Sequence, residues 1–163
     1  MSFRVTIITL FLAVAGVVFA VLTAGDAQDV LGGPDDGGGP VLASDALDPA
    51  GVNAIVLRRQ DADAAYRFDA TPSGWLQIEP FAYPMDRFSM EQLPRLADEL
   101  AWTERYDVDD LPEGVTLSGL GLEPPRGRLE LLAGGDPVVF DFGRQGIAGR
   151  AYLRVEGQPF VYV

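Results

Sequence analysis

Closely spaced carboxylates are the residues in this chain best suited to chemistry. Asp61 and Asp63 stand two apart in QDAD, and Asp107, Asp109 and Asp110 crowd into DVDD. Paired carboxylates can transfer protons or hold a divalent cation. Both clusters fall where turns are expected, and Asp is common in turns because its side chain bonds the nearby backbone. Glycoside hydrolysis would further need two carboxylates facing each other across a cleft. Arg144 and Arg150 flank the glycine-containing stretch QGIAG and suit a carboxylate or a phosphate. Trp75, Phe81, Tyr83 and Trp102 offer flat faces to a sugar or a peptide, but aromatics also supply much of a small domain's buried area. Of these, Tyr83 is expected at the surface. No residue is assigned as catalytic, cofactor-binding or metal-binding.

The missing residue types narrow the chemistry further. The 163 residues include no Cys and no His, and all 12 basic residues are Arg. The commonest zinc and copper ligands are therefore absent. A Ser-His-Asp triad, a cysteine nucleophile, a Schiff-base lysine and a P-loop lysine are excluded within this chain. The net charge of −12 repels phosphate backbones, which argues against nucleic acid as a partner.

The stretch LSGLGLEPPR, residues 117–126, has the look of a ligand cradle. A dinucleotide fingerprint needs G-x-G-x-x-G between a strand and a helix. Gly119 and Gly121 supply the first pair only; Pro124 stands at the third position, and a strand is expected next. The better reading is a corner. Leu117, Leu120 and Leu122 plug into the core, the glycines allow close backbone approach, and Pro124 and Pro125 hold the chain extended.

Four segments organise the chain. Residues 1–4 form a short stub. Residues 5–24, VTIITLFLAVAGVVFAVLTA, carry no charge and have the length of one membrane crossing. A transmembrane anchor is expected there, with a cleaved signal peptide as the rival reading. Arg4 precedes the span and Asp26, Asp29, Asp35 and Asp36 follow it, so the N-terminus is expected in the cytoplasm. The expected location is the inner (cytoplasmic) membrane, single-pass, with the C-terminal domain outside the cytoplasm. Residues 25–50, with GGPDDGGGP, read as a disordered tether.

Residues 51–163 read as one α+β domain of order β-β-β-α-β-β-β-β, a helix packed on antiparallel strands. Strands are expected at 52–59, 66–68, 75–78, 128–132, 138–142, 152–155 and 160–163, with TPSG, GGDP and EGQP as turns. Leu93, Leu96, Ala97, Leu100 and Ala101 recur at helical spacing, with Ser89 and Gln92 as a capping box. Pro94 predicts a late start or a bend. The acidic run 107–110 is expected to end the helical region, and strand 160–163 to be an open sheet edge.

The strand with Trp75 leading to Pro80, the Leu-rich helix, GLEPPRGRLEL, FGR and AYLRV appear in that order. Together they resemble the domain of unknown function 4340 family over residues 52–163. That resemblance implies a membrane-anchored bacterial envelope protein, in some genomes encoded beside gliding-type ABC-transporter components. It implies no activity, and so no catalytic residue. Many members look longer, so the chain is expected to be a fragment or a shorter relative. Two function classes stay open: a non-catalytic interaction or accessory module, and a carboxylate-based hydrolase or ligand-binding domain. Two carboxylates within about 10 Å in a concave pocket would favour the second.

Overall fold

Runs of alternating or β-branched residues set the strands, and turn residues separate them. The structure is a computed structural model that describes residues 37–62, 64–145 and 150–163. In chain order the elements are β1 (Gly39–Pro40), β2 (Ala54–Arg59), β3 (Tyr66–Thr71), β4 (Gly74–Glu79), β5 (Tyr83–Pro84) and helix α1 (Arg87–Asp98). Then come β6 (Ala101–Trp102), β7 (Arg105–Asp107), a 3-10 turn (Val108–Asp110) and the one-turn helix α2 (Leu117–Leu120). Strands β8 (Gly127–Leu132), β9 (Val138–Gln145), β10 (Ala151–Val155) and β11 (Phe160–Tyr162) follow.

Nine of these strands make one sheet in the order β5-β4-β3-β2-β8-β9-β10-β11-β7. All its neighbours are antiparallel. β1 and β6 pair separately. The fold is thus an antiparallel sheet with one packed helix. The expected anchor at residues 5–24 lies outside the described residues. Among the described residues no helix is long and apolar enough to cross a membrane.

Strand alternation gives the sheet two different faces. One face carries Ile55, Phe68, Trp75, Leu129, Leu131, Phe140, Leu153, Val155 and Tyr162. They form the main core with Met90 and Ala97 from α1 and Leu100, two residues beyond its end. Val41, Leu42, Leu47 and Val52 join that core. The tether expected over 25–50 is therefore corrected: from residue 39 the chain belongs to the domain. Composition hid this, because three buried aliphatics are diluted by Gly, Asp and Ala.

Helix α1 differs from its expected pattern in two respects. Its N-cap is Asp86, not Ser89; the Ser89 N–H and hydroxyl both donate to Asp86 Oδ2, at 2.8 and 2.7 Å. The buried stripe is Met90, Pro94 and Ala97, with Leu93 and Leu96 half-buried and Ala101 exposed in β6. Leu93, Ala97 and Leu100 of the expected stripe do pack in the main core, and the earlier start adds Met90 to it. Pro94 lies inside the helix rather than delaying it. The acidic run does not end the helix, since β6 and β7 intervene. The final strand is not an edge either: β11 pairs with β10 on one side and β7 on the other.

The GLGL segment is a corner with a helical turn inside it. Thr116 caps α2 by accepting the Gly119 N–H at 3.0 Å, so the helix start is already satisfied. Gly121 ends α2 in the left-handed region at φ 72°, and Leu122 N–H returns to Leu117 O at 2.9 Å. Leu120 and Leu122 pack with Val161 in a second, smaller core on the other sheet face. That docking needs Gly143. Between Leu153 and Ala151 the partner moves from Phe142 to Gln145, so β9 carries one extra residue there. A Cβ on Gly143 would lie 2.4 Å from Leu120 O and 3.1 Å from Leu122 Cγ.

Two outcomes follow. Gly143→Ala should cost about 1–3 kcal/mol in urea unfolding by overpacking, whereas Gly135→Ala, with open space around it, should stay within about 0.5 kcal/mol. Asp86 offers a pH test. The backbone and hydroxyl hydrogen bonds from Ser89 hold its carboxyl below the ordinary value. The unfolded chain therefore takes up that proton first, and the stability it carries rises with pH. It is complete above about pH 4 and lost as pH falls through the lowered folded value. Asp86→Asn should flatten that limb of the Tm–pH profile.

Candidate functional site

The sheet face opposite α1 collects charge because several outward positions of the central strands are Arg, Asp or Glu. RLELL, VVFDF and YLRV put Arg128 and Glu130, Asp141 and Arg154 outward of the main core. Register turns these separate residues into a row. Arg58 stands opposite Arg128, Arg128 opposite Asp141, Asp141 opposite Arg154, and Arg154 opposite Val161. Val56 and Val139 lie buried between the charged side chains.

The row is held by ion pairs. Arg128 donates to both oxygens of Asp141, Nε to Oδ1 at 2.7 Å and Nη2 to Oδ2 at 3.0 Å. Asp141 is only 6 % exposed. This bidentate pair is the strongest type of side-chain hydrogen bonding available to an arginine. The Asp141 hydrogen bond raises the Arg128 pKa above its already high ordinary value, against the opposing effect of burial. Glu156 approaches Arg128 Nη1 at 3.8 Å. Arg58 Nε meets Glu130 Oε1 at 3.1 Å, and Arg67 Nε meets Asp69 Oδ1 at 3.0 Å. Arg154 differs: its Nε is buried and, among the described residues, has no hydrogen-bond partner.

The residues singled out in the sequence do not converge on this face. Asp61 is exposed and chelates Arg59, with contacts of 3.0 and 2.7 Å; Asp63 lies outside the described residues. Asp107 caps the 3-10 turn by accepting the Asp109 N–H at 3.0 Å, and Asp109 and Asp110 are exposed. Arg150 donates to Glu104, which also accepts the Tyr106 hydroxyl at 2.7 Å. Arg144 is exposed, and residues 146–149 between it and Arg150 lie outside the described residues.

The four aromatics separate. Trp75 is buried in the main core, Phe81 is half-buried, and Tyr83 is exposed. The Phe81 carbonyl accepts Gln77 Nε2 at 3.1 Å, which satisfies a buried amide. Trp102 donates from Nε1 to Pro40 O at 3.1 Å. Arg105 lies over both the Trp102 and Phe160 rings, at 5.0 and 4.4 Å from their centroids. Such stacking adds cation–π attraction to packing. Tyr162 beside it donates to Gln158 Oε1, and burial raises its phenol pKa while Arg105 pulls it down.

Sequence reasoning missed the charged row because it lies across strands, up to some 96 residues apart from Arg58 to Arg154. The available signal was alternation: Asp141 and Arg154 each sit between inward apolar neighbours, and Arg58 and Arg128 each follow or precede an inward leucine. Chemically, the face can present paired charges to a partner. Among the described residues no group of three or more Asp or Glu is placed to hold a metal. No family model matches the chain, and no curated protein or solved structure matches it either.

The two kinds of arginine pair should separate by mutation. Arg128→Gln leaves a buried carboxylate unpaired and should cost on the order of 3–5 kcal/mol. Arg59→Gln breaks an exposed pair and should cost less than about 1 kcal/mol. Urea unfolding of both variants checks the difference.

Proposed function

We propose that this chain is a membrane-tethered module outside the cytoplasm that contacts another envelope protein and performs no catalysis of its own. Residues 5–24 anchor it, and the domain presents its charged sheet face. The observation that carries this reading is the Arg58–Arg128–Asp141–Arg154 row, an array of charge across four adjacent strands. Its carboxylates are engaged by arginines, so they are poorly placed to transfer protons. Ordered charges on a rigid sheet favour specificity and orientation in an encounter. The partner class is a membrane protein, such as a transporter subunit, which is also what the family resemblance implies.

The test is a fractionation with a topology reporter. The full chain should stay with membranes through an alkaline carbonate wash, and alkaline phosphatase fused after Val163 should be active outside the cytoplasm. A photo-crosslinker at Arg58 should give one discrete adduct, and one at Ser73, in the β3–β4 turn, should give none. A freely soluble chain, or equal smears from both positions, would end the proposal.

A further inference from the structure

We draw no further inference here: the strongest candidate, the outer edge of the sheet at β7 (Arg105–Asp107), is three residues long and runs directly into the 3-10 turn at Val108–Asp110, and nothing in the structure shows what covers it.

Discussion

Six register pairs between β2 and β8 hold the whole sheet together. Each half is a local meander: β2 to β5 on one side, β8 to β11 on the other. Only this seam makes them one sheet. Its residues are about 70 apart in sequence, so the loop-closure cost falls before the gain, and folding should be slower than for either hairpin set. The seam also fixes which face is which. A slip of one residue would turn Ile55, Leu57, Leu129 and Leu131 outward and carry Arg58 and Arg128 into the core. Burial of the aliphatic set therefore specifies the charged row as well.

That explains the odd arithmetic of the open face. Arg58 stands directly opposite Arg128, a repulsive placement across strands. It is tolerated because Glu130 and Asp141 draw the two guanidinium groups to different sides. The protein carries 24 acidic residues against 12 basic ones, yet arginines are concentrated here. The sheet ends are treated differently. β5 is two residues long and ends in a proline, and β7 has three residues. Short edges of this kind give a foreign strand little to pair with.

Much of the fold was legible in the sequence, and the limits were physical. VNAIVLRR, RLELL and VVFDF announce strands because β-branched and alternating residues have few other homes. The corner reading of GLGLEPP agrees with Leu120 and Leu122 in the second core. What stayed hidden depended on distance. The helix cap was misread because Ser89 and Gln92 mimic a local motif, while Asp86 does the capping. Val41, Leu42 and Leu47 looked like linker because only contact with a distant sheet gives them a role. The position of β11 between β10 and β7 was unreadable, since β7 is a three-residue strand without a pattern of its own. The charged row was lost for the same reason: each member is legible, but their adjacency is a property of register.

The placement of β11 has a consequence for how the chain comes into being. β7 leaves the ribosome about fifty residues ahead of the strand it must pair with, an interval of several seconds at ~5–20 residues per second. For most of that time Val161 is missing from the cluster around Leu120 and Leu122, and once β10 emerges its far side stays bare until β11 follows. The nascent domain therefore passes through a state with one unzipped flank and an uncovered aliphatic surface, open to whatever escort accompanies it.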